Sequence, residues 1–270
     1  YISANGSDDI TGEPDENWVI WRIPVNITLN QNLDGNPSVI TVGRSDVPAL
    51  NDYDHIGDLD HIYHNRTGYL VVPFTGGQLP AIAFFDAATL LLINYAILPG
   101  QAGAGWCAAN PNGDLFSSNN QTDVVRRYAI DWSRLANTSD HDFLTYIASY
   151  ALKDEADNTL LLFHMQGGEF TPTGDLLYVN CGIWGPGNQF PTDGIHVFDT
   201  STWKRIQRSF NTGFLSVHPH FIYRFDNTTG GGQEPQGLTI WDLDDGRAPN
   251  VRGQLHVLLY LSLIHISEPT

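Results

Sequence analysis

The stretch HMQGGEFTPTGDLLYVNC, residues 164–181, decides the fold because its pattern recurs along the chain. It contains two short apolar runs joined by a Pro-x-Gly-Asp turn, a pattern typical of a β-hairpin. GWCAANPNGDLFSS (residues 105–118) repeats it closely, and residues 58–72 and 236–259 are looser copies. One supersecondary unit repeated along a chain predicts a repeat architecture. The two closest copies share four aligned turn residues: Pro111 and Pro172, Gly113 and Gly174, Asp114 and Asp175, Leu115 and Leu176.

A second phrase also repeats and supplies the outer half of the unit. IAFFDAATL (residues 82–90) aligns with IHVFDTSTW (residues 195–203), so that an aromatic residue and an aspartate coincide at Phe85-Asp86 and Phe198-Asp199. The aspartate is expected to cap a tight turn by accepting hydrogen bonds from backbone amides further along. Inner and outer hairpins together predict an all-β protein, a β-propeller of four-stranded sheets. Five blades are the preferred count, with four as the alternative.

The chain divides into three parts. Residues 1–17 are polar and predict an N-terminal arm, residues 18–260 form a single propeller domain, and residues 261–270 are a tail of doubtful origin. That tail, LSLIHISEPT, resembles a peptide translated from a sequencing adapter; the alternative is a closing strand. Within the domain, the insertion at residues 139–154 has capping-box spacing and apolar residues at helical intervals, so we predict one short surface helix there, or else an irregular loop.

Composition excludes several classes of function. The 270 residues carry 30 Asp and Glu against 13 Lys and Arg, a formal net charge of −17. Such a chain lacks the basic face that nucleic acid or an anionic membrane surface requires. It has no apolar run long enough for a transmembrane helix, so we predict no membrane insertion.

Asn-x-Ser/Thr triplets favour an extracellular, N-glycosylated protein. Several of them lie in polar turn sequences, where an acceptor asparagine is exposed. In a secreted chain the two cysteines, Cys107 and Cys181, allow one disulfide, and two buried thiols are the alternative. The predicted glycan acceptors are Asn5, Asn26, Asn65, Asn120, Asn137 and Asn227.

The alternation of inner hairpin, aromatic-Asp turn and outer hairpin resembles the broad secreted group of YVTN/NHL-type and gluconolactonase-like propellers. The phrase EPQGL, residues 234–238, is similar to a strand opening of the gluconolactonase-like proteins, in which a glutamate binds a divalent metal. The resemblance implies a ligand or metal on the central axis, where the innermost strands begin. The asparagine ligands of those enzymes have no clear counterpart in this chain.

Oxygen-bearing side chains at three strand starts are the candidate metal ligands. Asp58, Gln166 and Glu234 would converge from different blades, which suits Ca²⁺. The alternative is that Asp58 and Glu234 cap exposed backbone amides at the channel entrance. Paired carboxylates for glycoside hydrolysis are a further reading of Asp58 with Glu169 or Glu234. 

Other side chains are candidates for binding a ligand at the axis or on the surface. Histidines at strand ends either converge on a ligand or are hydrogen-bonded structural residues. The glycines beside Glu169 would let a ligand approach, or relieve crowding between strands. Tryptophans could stack on sugars, and Trp203 is expected in the core. The predicted binding residues are His55, His61, Trp106, His164, Glu169 and Trp184.

No serine-hydrolase elbow, P-loop or dinucleotide fingerprint occurs in the sequence. We therefore predict a secreted, glycosylated propeller that binds a ligand such as a carbohydrate, or serves as an extracellular structural protein that self-associates into polymers. The alternative is a metal-dependent hydrolase or lyase that acts on a lactone or carbohydrate at the axial mouth.

Overall fold

Antiparallel strands make up nearly all the regular structure in the computed structural model, which describes residues 1–6, 17–24, 26–27, 36–182, 192–210, 221–222, 233–242 and 253–261. The first sheet contains β1 (Ile2–Gly6), β2 (Asn17–Arg22) and β3 (Ile40–Gly43), so part of the predicted N-terminal arm is a strand. Two 3₁₀ turns, Arg44–Asp46 and Pro48–Leu50, lead into the repeated units.

Four further sheets follow in chain order, and we number them blades 1 to 4. Their strands are, for blade 1, β4 (His55–Ile56), β5 (Asp60–His64), β6 (Thr67–Thr75), β7 (Ala81–Asp86) and β8 (Leu92–Ile97); for blade 2, β9 (Cys107–Ala109), β10 (Leu115–Ser117), β11 (Val124–Ile130) and β12 (Leu144–Ala151); for blade 3, β13 (Met165–Phe170), β14 (Leu176–Cys181), β15 (Gly194–Asp199), β16 (Lys204–Phe210) and β17 (Phe221–Ile222); and for blade 4, β18 (Gln233–Asp242) and β19 (Gly253–Leu261).

These sheets have a propeller arrangement, which confirms the predicted fold class. The innermost strands contact one another in succession, β5 with β9, β9 with β13, and β13 with β18. Each blade then proceeds outward through antiparallel neighbours, with only the short β17 added in parallel. Among the described strands the four-blade alternative fits, rather than the preferred count of five. The first sheet contacts blade 1 through β1 and β4.

The aromatic-Asp turn forms as predicted at Asp86 and Asp199, and blade 2 has an equivalent aspartate turn in which Ile130 takes the aromatic position. Asp86 Oδ1 accepts the amides of Ala88 and Thr89 at 3.0 and 2.8 Å, and Asp199 Oδ1 accepts those of Ser201 and Thr202 at 3.0 and 2.9 Å. In blade 2, Asp131 accepts the equivalent two amides. The four-residue helix α1 (Trp132–Leu135) is therefore the blade 2 version of the same turn.

The outer strand of each complete blade also carries a β-bulge, a feature that the sequence analysis did not predict. The bulged residue is Ile93 in β8, Ile147 in β12 and Ile206 in β16. A bulge increases the local twist of a strand. The repeat is thus preserved in backbone geometry even where the sequence of the outer strand varies.

Hydrophobic side chains fill the spaces between neighbouring sheets. Strand β6 contributes to two of these spaces because alternate side chains point to opposite faces: Leu70, Val72 and Phe74 pack with Trp18 of the first sheet, whereas Val71 packs towards blade 2. A third cluster joins blade 2 to blade 3 and includes the buried Trp203, as expected. Burial between blades, rather than in one central core, holds the ring together.

The helix predicted in the insertion at residues 139–154 is wrong. Residues 144–151 are strand β12, the outer strand of blade 2. The apolar spacing matched a helix, but hydrogen bonding to the exposed edge of β11 fixes the segment as a strand. The α-helix of the described chain lies earlier, at Trp132–Leu135, where Asp131 caps it.

No helix in the described part of the chain is both long and apolar enough to cross a membrane. Residues 262–270 of the tail lie outside the described residues.

Candidate functional site

Asp58 joins three blades at the hub. Its backbone bonds to blade 2, since the amide of Asp58 donates to Gly105 O at 3.0 Å and the amide of Cys107 donates to Asp58 O at 3.2 Å. Its carboxylate accepts the amides of Gly168 in blade 3 at 3.3 Å and Leu238 in blade 4 at 3.1 Å, both through Oδ2. The side chain is therefore an acceptor that ties separate blades together.

Two glycines make room for this carboxylate. A Cβ placed on Gly167 would lie 2.7 Å from Asp58 Oδ2, and one placed on Gly237 would lie 2.4 Å from Asp58 Oδ1. Neither distance is tolerable for a methyl group, so the inner strands of blades 3 and 4 need glycine at these two positions. The glycines beside Glu169 therefore serve close packing, which is one of the two alternatives from the sequence.

The predicted metal ligands fit the amide-capping alternative at Asp58. Gln166 is half-buried at the start of β13, and Glu234 lies in β18 with a side chain outside the described residues. Among the residues that can be assessed, no three His, Cys, Asp or Glu side chains are arranged to hold a metal ion. A calcium site there stays a prediction.

A cavity of about 290 Å³ lies on the axis at the opposite ends of the inner strands. The ligand expected from the sequence lies where these strands begin, and a separate cavity of about 390 Å³ borders Asp58 there, whereas this cavity lies beside the hairpin turns. Every blade contributes to it. Its lining includes Asp60, His61 and Tyr63 from blade 1, Ala109, Asn110 and Trp132 from blade 2, Glu169 and Thr171 from blade 3, and Ile240 from blade 4.

Asp60 and Glu169 occupy the same position in their blades. Asp58 pairs in parallel with Trp106, and the shared Pro-x-Gly-Asp turn aligns Trp106 with Gly167. Two residues further along each strand are Asp60, an alanine in blade 2, and Glu169. Because side chains two residues apart share a strand face, both carboxyls reach the axial cavity.

The two carboxyls have unequal hydrogen bonding. Asp60 is buried, and its oxygens accept the amides of His61 and Ala109, each at 2.6 Å. Burial raises the pKa of Asp60, and these amide bonds oppose the rise. No hydrogen bond from a described residue reaches the Glu169 carboxyl, and burial, then the charges of Asp60 and Asp58, raise the pKa of Glu169 far above the usual carboxyl range. Burial thus favours the protonated form of Glu169, whereas the oxygens of Asp60 are held by backbone amides.

Aromatic side chains border the same cavity. Tyr63 is 75% exposed, so its ring is available to a ligand. Trp132 is held in place, since it stacks on His64 with ring centroids 4.0 Å apart and lies 5.2 Å from Tyr69. An aromatic face packs well against the C–H groups of a sugar ring, and its negative quadrupole favours such contacts. The cavity therefore combines polar groups that form hydrogen bonds with flat apolar faces.

The predicted histidines do not converge. His61 lines the cavity and stacks on Tyr1 with centroids 5.8 Å apart, and burial lowers its pKa. His55 is exposed in the short strand β4, and His164 lies before β13 with φ of 51°. Burial lowers the pKa of His164. Of the three, His61 alone belongs to the axial cavity.

The prediction that Trp106 is an exposed sugar-stacking residue is wrong. It is fully buried between blades 2 and 3, where its indole nitrogen donates to Ser118 Oγ at 2.8 Å. A Cβ on Gly168 would lie 2.3 Å from the Trp106 ring, so the ring fills the space beside that glycine. Trp184 lies outside the described residues.

The two cysteines are buried, unbonded thiols. The disulfide is thus not formed, and the alternative of two thiols holds. Cys107 Sγ lies 3.5 Å from Val71 O, on the side of its strand that faces blade 1. Cys181 belongs instead to the cluster between blades 2 and 3. The two side chains pack in different interblade spaces, which is why they do not meet.

Four of the predicted glycan acceptors are exposed. Asn65 lies in the turn between β5 and β6, and Asn26, Asn120 and Asn137 are also at the surface. Asn5 lies in β1, with a side chain outside the described set, and Asn227 lies wholly outside it. Whether glycans are attached stays a prediction.

The sequence analysis missed Asp60, Tyr63, Asn110 and Trp132 as cavity residues. Asp60 could have been found, because the hairpin alignment places it level with Glu169. Trp132 was not predicted because it lies in the blade 2 version of the outer turn, where no aromatic residue precedes Asp131 to mark the repeat.

No protein-family model and no curated protein sequence matches the chain. Among solved structures, a complex of KlAtg21 with the coiled-coil of AgAtg16 is similar at a TM-score of 0.38 and 15% identity, over 63% of this chain and 50% of that one. A putative 6-phosphogluconolactonase from Bacteroides fragilis is similar at a TM-score of 0.37 and 18% identity, over 70% of this chain and 47% of that one. The chain spans about half the length of the structures it matches.

Proposed function

We propose that the protein is an extracellular, N-glycosylated binding propeller that takes a small neutral carbohydrate in the axial cavity. The observation that carries this proposal is the pairing of Asp60 and Glu169 at one level of the ring, beside the faces of Tyr63 and Trp132. Two carboxyls at one level, one held by backbone amides and one without such bonds from described residues, offer hydrogen-bonding groups that match the hydroxyl groups of a sugar. The volume of about 290 Å³ is at the small end of ligand pockets and suits a single ring.

The binding test uses titration calorimetry with three probes: a neutral hexose, a uronic acid and an amino sugar. The neutral hexose should bind better than the uronic acid, because a uronate would add a negative charge beside Asp60 and Glu169, and the amino sugar measures whether that pair attracts an ammonium group. Tyr63→Ala and Trp132→Ala should each weaken binding about five-fold, the effect of losing roughly 1 kcal/mol of aromatic contact.

Trp241→Ala is the matched control, since that ring is 50% exposed and outside the cavity. Loss of binding in Trp241→Ala equal to that in Trp132→Ala would refute the axial site, as would the absence of binding by all three probes.

Extracellular glycosylation has its own test. Secretion from a eukaryotic host should give a protein whose mobility increases after peptide N-glycosidase treatment. Asn65→Gln and Asn120→Gln should each remove one glycan, since both side chains are exposed. A secreted protein whose mass equals that of the bare polypeptide would contradict this part of the proposal.

A calcium ion at the strand starts is a separate proposal, supported by the oxygen-bearing side chains of Asp58, Gln166 and Glu234. Addition of Ca²⁺ at one hundred times its Kd would stabilise the protein by about 2.7 kcal/mol. The readout is the melting temperature in EDTA and in excess Ca²⁺. Equal values in the two buffers, with no calcium in the purified protein, would reject it.

The alternative activity is a hydrolase or lyase in the same cavity. What favours it is the pair Asp60 and Glu169, because two carboxyls with different environments can divide the roles of base and acid. Lactones and glycosides would then be turned over, and Glu169→Gln would abolish turnover while sugar binding persists. If sugars bind but neither lactones nor glycosides are turned over, the enzyme alternative is rejected and the binding function is supported.

A further inference from the structure

The cavity of about 390 Å³, which we call the second cavity, lies at the end of the hub where the inner strands begin. It is lined by the start of the first sheet, by the strand start of blade 1 and by both strands of blade 4. Its wall is largely aliphatic and partly open, since Leu258 is 44% exposed. The aliphatic residues of this wall are Ile2, Leu59, Leu238, Val257 and Leu258.

The second cavity and the axial cavity follow one another along the same two strands. Residues 58–61 of blade 1 line the second cavity, and residues 60–63 line the axial cavity. Blade 4 shifts in the same direction, from residues 237–239 to Ile240. Because a strand rises about 3.3 Å per residue, the shift in blade 1 separates the two sites by about 7 Å. One ligand can span that distance.

A row of aromatic rings connects the two cavities at His61, which lines both of them. The imidazole stacks on Tyr1 of the second cavity with ring centroids 5.8 Å apart. The same imidazole meets Tyr63 of the axial cavity edge to face, with centroids 4.7 Å apart. Asp60 also borders both cavities, so the two spaces adjoin at the level of these two residues.

The two cavities differ in the chemical groups that they offer. The axial cavity has two carboxyls and the rings of Tyr63 and Trp132, whereas the wall of the second cavity is mainly aliphatic. Ser3 Oγ, a hydroxyl at that wall, already donates to Gly57 O at 3.1 Å. A sugar hydroxyl placed against aliphatic side chains would lose its hydrogen bonds to water, whereas an apolar group gains by leaving water. The second cavity therefore suits an apolar group better than a second sugar ring.

We propose that the ligand is an amphipathic glycoside, with its sugar ring in the axial cavity and an apolar aglycone in the second cavity. The inference rests on the proposed function, because it needs a sugar held beside Tyr63 and Trp132. It adds the class of ligand, a single sugar ring linked to a hydrophobic group. The glycosidic link lies beside Asp60 and His61, at the level that the two cavities share.

The experiment is titration calorimetry of the full chain with methyl glucoside, hexyl glucoside below its micelle-forming concentration, and cellobiose. Hexyl glucoside should bind about ten-fold more tightly than methyl glucoside, which corresponds to the burial of about two methylene groups. Cellobiose should bind no more tightly than methyl glucoside, because its second ring would bring hydroxyls against the aliphatic wall.

A pair of leucine variants locates the aglycone. Leu258→Thr should weaken the binding of hexyl glucoside about three-fold and leave that of methyl glucoside unchanged. Leu161→Thr is the matched control, since that leucine is 42% exposed and outside both cavities, and it should bind both glucosides like the wild type. Trp132→Ala should weaken both glucosides alike, and the melting temperature of each variant shows that it is folded.

Equal affinities for the two glucosides, tighter binding of cellobiose than of hexyl glucoside, or hexyl glucoside binding that Leu258→Thr leaves unchanged would each overturn the inference. In those cases methyl glucoside still binds and still responds to Trp132→Ala, so the axial sugar site stands. The absence of binding by both glucosides, or binding of both that ignores Trp132→Ala, would instead refute the proposed function and this inference with it.

Discussion

Asp58 and Glu169 are both carboxyls on the inner side of the ring, yet the structure uses them differently. Asp58 accepts amides from blades 3 and 4 and lies against two glycines that leave it room. Glu169 faces a cavity, and its carboxyl receives no hydrogen bond from a described residue. Both have a pKa raised first by burial. The comparison shows that the Asp58 carboxylate is committed to backbone amides of two other blades, whereas the Glu169 carboxyl has no such bond from a described residue.

Asp58→Ala should lower the free energy of unfolding more than any other change considered. A small effect would contradict the distinction between a structural Asp58 and a cavity-facing Glu169. Removal of the carboxylate leaves the amides of Gly168 and Leu238 without their acceptor, and a buried unpaired amide costs about 1–3 kcal/mol. We expect the free energy of unfolding to fall by about 3 kcal/mol in urea titrations at pH 7. Glu169→Gln, measured alongside, should not lose stability at that pH. Equal losses would mean that both carboxyls are structural.

Gly237→Ala should have the next largest effect. The new methyl group would lie 2.4 Å from Asp58 Oδ1, and overpacking of this kind costs about 1–3 kcal/mol. The cost should shrink when Asp58→Ala is present, because the clash disappears with the side chain. A double-mutant cycle on unfolding free energies measures that coupling. Additive losses would show that the glycine is required for another reason.

The pH dependence sharpens the comparison through Glu169. Its folded pKa is raised above the unfolded value of about 4.3, so the stability it contributes is complete below that pH and is lost as pH rises. Glu169→Gln should therefore unfold at the same denaturant concentration as the wild type near pH 4 and at a higher one near pH 8. The difference in unfolding free energy between Glu169→Gln and the wild type can grow by at most about 1.4 kcal/mol per pH unit.

Asp175→Asn is the control for this pH profile. Bonds from Thr171 and Thr173 lower the pKa of Asp175, so its ionised form stabilises the fold. As pH rises through the acid range, the wild type should therefore become more stable than the Asp175→Asn variant. If the Glu169→Gln and wild-type profiles were parallel, Glu169 would be an ordinary ionised carboxylate.

The cysteines give the smallest expected effect. Burial raises the pKa of both thiols, so neither should react with iodoacetamide at pH 8 in the folded protein. After unfolding without reductant, mass spectrometry should find two alkyl groups per chain. Dithiothreitol should leave the melting temperature unchanged. If the unfolded chain were alkylated only after reduction, the protein would contain the disulfide between Cys107 and Cys181.

The sequence predicted the hairpins well because their turns are encoded locally. Pro-x-Gly-Asp and the aspartate of the outer turn form hydrogen bonds within a few residues, and Gly113 and Gly174 adopt the positive φ of 84° and 75° that these turns need. It failed at residues 139–154, where apolar spacing suited a helix. There the segment pairs with the edge of β11 along residues 144–151, and this tertiary pairing outweighs the local preference for a helix.

The site was only partly predictable for a similar reason. Glu169 was identified from its strand. Trp106 was assigned to the surface but is buried, because the local sequence around a tryptophan does not show whether a neighbouring blade covers its side chain. Asp58 was placed correctly near the axis. Its bonds to Gly168 and Leu238 span 110 and 180 residues of sequence, and no local pattern contains them.

By itself, then, the sequence determined the repeated unit, its turns and an all-β ring, because period-two side chains and short-range turn bonds are written in consecutive residues. Tertiary structure alone decided which carboxyl accepts backbone amides from other blades and which one lies beside the hairpin turns without such bonds. Those outcomes depend on contacts between blades distant in sequence, where packing geometry and the competition for backbone amides select among side chains of the same chemical type.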